Sequence, residues 1–385
     1  MKIVFYSDNL YPEISGISDS ILTLGEELIK RGHEVAFLGP KYSINNYKKT
    51  NTPNDDSGES RLNKFKIYRI LSIILPFSIT GQSRIAIPLG LSLNFIKNFS
   101  PDIIHTNSPF GSGLEALFVS RKLKIPLIGT NHTPPEEFFP SIFKKYYSWY
   151  YNFCLYISTP SYELLNSMNK SGYRGEIERI ANPVILDRFI PVSDENKIKL
   201  KKNFNIEGPV ILYTGRLSPE KHVDVIIKAI AKLVRDFPKI RLIITGHGSS
   251  KEDLVKLAER LSIKENIVFT GYVSTERLIE LYQISDIFSI MSTAETQSIS
   301  LMQAFATGIP AICANSHGLV EYTDKSCGFL IDYNDSDSLA RIIKELLNNE
   351  VKRKDMGKKG IEYVKQFSIK SIADKWEALF YKYKK

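Results

Sequence analysis

The sequence predicts an α/β fold built on two doubly wound parallel sheets, and three observations carry that expectation. Short apolar runs alternate with longer amphipathic segments, the pattern of repeated βαβ units. A length of 385 residues is too great for one ordinary core and fits two domains of roughly 150 to 200 residues each. The series of runs is interrupted between Pro183 and Pro209, where Pro191, a charged stretch and Gly208-Pro209 separate one set from the next.

The N-terminal run Lys2–Tyr6 meets an acid at Asp8, is too short for a signal-peptide core, and reads as a buried first strand. Further strands are expected at Glu34–Leu38, Asp102–Thr106, Pro126–Thr130 and Cys154–Ser158, with helices at Ile17–Arg31 and Gly111–Lys122. In the second half, strands are expected at Val210–Tyr213, Arg241–Thr245, Ile267–Phe269, Asp286–Ile290, Pro310–Cys313 and Gly328–Ile331. The helices among them are Val223–Arg235, Lys251–Leu261, Thr275–Gln283 and Ser300–Thr307. The stretch Tyr42–Arg61 is rich in Asn, Ser and Lys without periodicity and reads as a mobile loop. Ligands of open α/β sheets bind beyond the strand C-terminal ends, so with two such domains the cleft between them is the expected site.

Composition narrows the class. A hydrophobic content of 43% and a mean hydropathy of -0.15 fit a globular chain with ample core. Cys154, Cys313 and Cys327 form no C-x-x-C pair, which argues against a disulfide framework or a zinc site and makes a reducing cytoplasm the simplest compartment. No apolar run reaches the roughly 18 residues of a membrane span; the nearest, Ile67–Ile79, is broken by Arg69 and Pro76. The net charge of +9 comes without a helix-turn-helix, RNP or zinc-finger pattern, so anionic ligands and lipid headgroups are expected rather than nucleic acid. The aromatic, basic stretch Phe138–Tyr151 suits either an anionic membrane surface or a core helix with Lys144 and Lys145 facing water.

The chemistry concentrates in a few loops. Glu295 and Gln303 flank the start of an apolar helix a little over two turns apart, with Ser298, Ile299 and Ser300 between them, where free backbone N–H groups offer an anion seat. A carboxylate beside an anion seat suits a ligand that carries both hydroxyls and phosphate. Thr214–Lys221 lies between a strand and a helix and presents Arg216 and Lys221, either a diphosphate clamp or a solvated charge pair. Gly16 follows the first strand, where it serves close backbone approach to a ligand or simply a tight turn. His132 ends the strand Pro126–Thr130 and is either a sugar contact or structural, and His105 occupies a similar strand end. Neither G-x-G-x-x-G nor G-x-x-x-x-G-K-S/T follows a domain's first strand, which disfavours a nicotinamide dehydrogenase and a P-loop enzyme. Asp335-Ser336-Asp337 is formally a D-x-D but starts a helix, so a cap is expected and no metal site.

These segments occur in an order that resembles glycosyltransferase family 4, the retaining GT-B enzymes, over nearly the whole chain. The resemblance rests on Ser15-Gly16-Ile17, His132-Thr133, Asn182-Pro183-Val184, Gly215-Arg216-Leu217 through Glu220-Lys221, Gly246-His247-Gly248, Gly271-Tyr272-Val273 and Glu295 to Gln303. It implies a GT-B fold of two Rossmann-like domains facing across a cleft: an acceptor domain at 1–190, a nucleotide-sugar domain at 191–365, and a C-terminal helix at 366–385 packing back on the first. It implies a metal-independent hexosyltransferase that takes sugar from a nucleoside diphosphate sugar with retention and needs no other cofactor. Arg216, Lys221 and the Gly16 loop would then neutralise the diphosphate, Glu295 would bind donor sugar hydroxyls, and His132 would lie near the reacting sugar. Gln303 stands where the family's second acid usually holds the ribose, and Ser298, His247 and Pro183 also depart from the family pattern. The run Glu295-Thr296-Gln297 is similar to that of glycolipid-forming members, which implies a lipid or cell-envelope glycan acceptor at the inner membrane face. A nucleotide-sugar-binding protein of the same fold without transferase activity is the alternative.

Overall fold

Parallel strands buried on both faces need continuous apolar sequence, and the chain supplies two such series. The computed structural model describes residues 1–12, 15–42, 59–74, 84–132 and 141–385, with the side chains of 59–60 and 141–144 excepted. Most of the loop expected at Tyr42–Arg61, together with Thr133 and Phe138–Pro140, lies outside the described residues. Two units result, one formed by Met1–Pro183 with Ile369–Lys385 and the other by Val184–Ser368. The division falls after Pro183 rather than after residue 190, because the Val184 N–H donates to the Phe367 carbonyl and Val184 bridges Ser368.

In the first unit the strands are β1 (Lys2–Tyr6), β2 (Glu34–Pro40), β3 (Lys66–Ile70), β4 (Ser72–Ile74), β5 (Arg84–Ala86), β6 (Ile103–Thr106), β7 (Leu127–Thr130), β8 (Tyr156–Thr159) and β9 (Glu176–Arg179). Seven of them form a sheet in the order β3-β2-β1-β6-β7-β8-β9, and β4 pairs with β5 in a separate antiparallel ribbon. Alternation along β1 sends Val4 and Tyr6 to one face, where they join Tyr147, Tyr150 and Tyr151 of the helix Ser141–Tyr151. Phe5 faces the other side, stacked on Phe37 at 5.2 Å and set edge-on to Phe380.

Phe380 belongs to the C-terminal helix Ile369–Tyr383, which buries Ile372, Trp376 and Phe380 at helical spacing. Each large side chain so buried contributes about 1.5–3 kcal/mol. Polar contacts set the orientation: Arg31 pairs with Asp374 at 2.7 Å and Glu377 at 2.9 Å, and His33 Nε2 lies 2.8 Å from Glu377. The helix Ser141–Tyr151 divides by face, since Tyr150 and Tyr151 are core while Lys145 and Trp149 are exposed.

The second unit has β10 (Val210–Thr214), β11 (Arg241–Thr245), β12 (Ile267–Gly271), β13 (Ile287–Ile290), β14 (Ala311–Ala314) and β15 (Gly328–Ile331) in the order β12-β11-β10-β13-β14-β15. The order reverses at β10, so each crossover helix covers one face or the other. Asp286, just before β13, accepts from Lys197 at 2.8 Å, Lys201 at 2.9 Å and the Val210 N–H at 2.9 Å. Burial by itself would raise its pKa, but the two lysines prevail and hold it at about 2. No helix among the described residues is long and apolar enough to cross a membrane.

His105 is a core residue rather than a site residue. Its ring lies 4.4 Å from Trp376 and 5.0 Å from Phe5, and its Nε2 is 2.8 Å from the Thr130 hydroxyl. Burial, reinforced by the nearby His132, pushes its pKa down to about 3. The unfolded chain therefore binds the extra proton between the ordinary histidine pKa of 6.5 and about 3, so stability from this group is complete above 6.5 and is lost as pH falls through that window. At pH 5 the loss is on the order of 2 kcal/mol. Denaturant unfolding should show such a decline between pH 8 and pH 5, to which His132, also held low by burial, adds a similar share; His105→Phe should remove about half of it, and an undiminished acid dependence in the variant would refute the assignment.

Candidate functional site

A polar site of the second unit is built by loops at the C-terminal ends of its strands. The Gly215 N–H donates to the Thr245 carbonyl at 3.1 Å, and the Leu217 N–H to the His247 carbonyl at 3.0 Å, which ties the loops after β10 and β11 together. Gly246 has a φ of +118°, and a Cβ there would stand 1.9 Å from the Gly215 carbonyl oxygen, so only glycine permits the approach. The Thr293 N–H donates to the Glu220 carbonyl at 2.9 Å, joining the loop after β13 to the same turn.

That stitching brings Lys221 to Glu295. Lys221 Nζ is 2.6 Å from Glu295 Oε1 and 3.3 Å from the Ser292 hydroxyl, and the lysine side chain is only 7% exposed. A charge this deep needs its partner, because removing one member of such a pair leaves the other uncompensated. Glu295 is positioned from a further side by the Gly318 N–H, which donates to its carbonyl at 2.8 Å. A Cβ at Gly318 would lie 2.2 Å from the Thr296 carbonyl oxygen. Arg216 is exposed on the β10 loop, whose bend is secured by the Tyr213 hydroxyl donating to the Arg216 carbonyl at 2.7 Å.

Ser298 caps the helix Ile299–Ala306, its hydroxyl accepting from the Leu301 N–H at 3.3 Å and lying 2.9 Å from the Ser300 hydroxyl. The Ile299 and Ser300 N–H groups, which have no intrahelical partner, are those that can meet an anion. Glu295 thus stands ahead of the helix and Gln303 within it, each with a separate partner. Gln303 Oε1 is 3.1 Å from the Tyr282 hydroxyl, which is also 2.9 Å from the Ser300 carbonyl oxygen. Tyr282, Ser292 and Gly318 escaped the sequence reading. Gly318 alone left a signal, a glycine at a strand-to-helix turn.

Two expected site residues belong to the first unit. Gly16 opens the helix Gly16–Lys30, with Ser15 and Ser18 capping each other reciprocally, Ser18 N–H to Ser15 Oγ at 3.1 Å and Ser15 N–H to Ser18 Oγ at 2.9 Å. His132 follows β7, partly buried, with Nε2 3.2 Å from Asn107 Oδ1. Burial pushes its pKa down to about 4, so the imidazole is neutral at ordinary pH. Nearby, Asp8 accepts from the Ser108 hydroxyl at 2.6 Å, the Ser112 hydroxyl and N–H at 2.8 and 3.0 Å, and the Ala86 N–H at 3.2 Å. Asp335 caps its helix, accepting from the Asp337 and Ser338 N–H groups at 3.1 and 2.9 Å.

An anion seat, a buried lysine and a carboxylate beside it are the parts that a phosphorylated, hydroxyl-rich ligand requires. Comparison with known proteins identifies the lineage of the chain. The family described as Glycosyltransferase Family 4 matches residues 14–188, and that described as Glycosyl transferases group 1 matches residues 194–363. The alpha-monoglucosyldiacylglycerol synthase of Streptococcus pneumoniae is 28% identical over 90% of this chain and 78% of its own. The GDP-mannose-dependent alpha-mannosyltransferase of Mycobacterium tuberculosis is 25% identical over 83% of this chain and 80% of its own. Among solved structures, Anabaena Alr3699/HepE in complex with UDP-glucose superposes with a TM-score of 0.80 at 19% identity, covering 99% of this chain and all of the other, a likeness of fold. Matched over both of its units, the chain belongs to glycosyltransferase family 4 and is a glycosyltransferase of the GT-B fold.

Proposed function

We propose that the protein moves a hexose from a UDP- or GDP-sugar to a lipid-linked or cell-envelope glycan acceptor at the cytoplasmic face of the membrane, with retention and without a metal. The observation that carries this reading is the Lys221–Glu295 pair beside the N-terminus of the helix Ile299–Ala306. The diphosphate of a donor would draw Lys221 and Arg216, the helix amides would take part of the developing charge, and Glu295 would turn to the sugar hydroxyls. Fixed cations supply the stabilisation that a departing diphosphate needs, and the departing phosphate can itself take the acceptor proton, so no protein base is required. His132, neutral, serves as a hydrogen-bonding group to the sugar rather than as a charge.

A membrane-face acceptor is supported by the names of the relatives, two of which are alpha-monoglucosyldiacylglycerol synthases and one a phosphatidylinositol monomannoside mannosyltransferase. It is supported too by Phe118, which is 49% exposed and shares a helix face with Arg121 and Lys122, the arrangement that suits an anionic lipid surface.

Glu295→Ala is expected to lower turnover about 100- to 1000-fold, the scale of removing one preorganised polar contact. Turnover of UDP- and GDP-sugars with lipid acceptors, followed by mass spectrometry of the products, measures it, and equal rates would sink the role of Glu295. Gly318→Ala should lower kcat while the protein remains folded, because its Cβ displaces the Thr296 carbonyl and with it Glu295; unchanged kcat would refute that positioning. Gln303→Glu should change donor affinity by only about 1 kcal/mol, since a carboxylate also accepts from Tyr282. Complete loss of activity would contradict a ribose contact. Donor binding with neither transfer nor hydrolysis across a broad acceptor panel would instead favour a binding protein without transferase activity.

A further inference from the structure

Asn107 is a buried amide that its surroundings satisfy only in part. It follows β6, is 4% exposed, and its N–H donates to the Tyr6 carbonyl at 2.7 Å. Its Oδ1 lies 3.2 Å from His132 Nε2, whereas its Nδ2 is buried without a hydrogen-bond partner among the described residues. An orphaned buried donor is destabilising, and an apolar side chain of similar volume would avoid that cost altogether. The one contact that distinguishes Asn107 from such a side chain is the contact to His132.

We propose that Asn107 is a positioning residue that sets the tautomer of His132. A carbonyl oxygen can only accept, so His132 Nε2 carries the proton and donates to Asn107 Oδ1. Nδ1 is then the bare nitrogen, an acceptor for a hydroxyl of the bound glycosyl group. A neutral imidazole released from this contact would divide its proton between the two nitrogens, and the fraction protonated at Nδ1 would meet a sugar hydroxyl without a lone pair. The role of His132 toward sugar rests on the transfer reading above; the tautomer does not.

Two measurements test the proposal and separate it from that reading. Nitrogen-15 NMR of the histidine-labelled protein, with His132→Gln to assign the signal, should show the Nε2–H tautomer in the wild type. Asn107→Leu should give a mixture, and Asn107→Asp, which keeps an accepting oxygen, should restore Nε2–H. In steady-state turnover, Asn107→Leu should lower kcat about 10- to 100-fold, the scale of a mispositioned group, with the donor KM nearly unchanged and the thermal midpoint at or above that of the wild type. An Nδ1–H tautomer in the wild type overturns the proposal, as does wild-type kcat in Asn107→Leu. A lowered midpoint accompanied by parallel changes in kcat and KM would assign Asn107 a merely structural role and overturn it as well. If the wild type turns over no nucleotide sugar, the transfer reading fails while the NMR result still decides the tautomer.

Discussion

Burial of both faces of the parallel sheets is the constraint on which the rest of the structure depends. Every residue of β6, β7, β8, β10, β13 and β14 is buried, so these strands leave no face on which a charge could sit. The charged groups of the candidate site lie where strands end and helices begin, and there backbone groups need partners in any case. The loops of the second unit meet that need by bonding to one another, with the turn after β10 tied to those after β11 and β13. The same bonds that satisfy the backbone therefore set the distance between Lys221 and Glu295.

The two units treat charge at their strand ends in opposite ways. In the first, the carboxylate of Asp8 is enclosed by two hydroxyls and two N–H groups and its pKa is raised by burial, while His105 and His132 are driven to the neutral form. In the second, Lys221 and Glu295 are paired and Arg216 is exposed. His132 can hydrogen-bond hydroxyl groups without carrying charge, whereas the cations Lys221 and Arg216 suit phosphate.

Much of this was legible in the sequence where strands are central. Lys2–Tyr6 and Arg241–Thr245 have the bounds that their apolar runs suggest, because a strand flanked on both sides and buried on both faces is apolar along nearly all its length. The edge strands β3 and β9 were not, since Lys66–Ile70 and Glu176–Arg179 are half solvated and mix charged with apolar residues. The helix Asp194–Asn203 was hidden for a similar reason. It buries none of its residues and is held by Lys197 and Lys201, one turn apart, reaching Asp286, so no apolar periodicity announces it. The aromatic stretch ending at Tyr151 admitted two readings, and burial of Tyr147, Tyr150 and Tyr151 with Lys145 exposed is the pattern of a core helix whose lysine faces water.

What the sequence determined by itself was local: that Glu295 precedes a helix, that Gln303 lies within it, and that Arg216 and Lys221 share one strand-to-helix loop. These follow from periodicity and turn residues, which act over a few positions. The tertiary structure alone decided which groups meet. Lys221 and Glu295 are 74 positions apart, and His132 and Asn107 are 25 apart. Pairings at such separations are set by strand order and by which backbones approach closely enough to bond, as Gly318 does at Glu295. No local pattern encodes them.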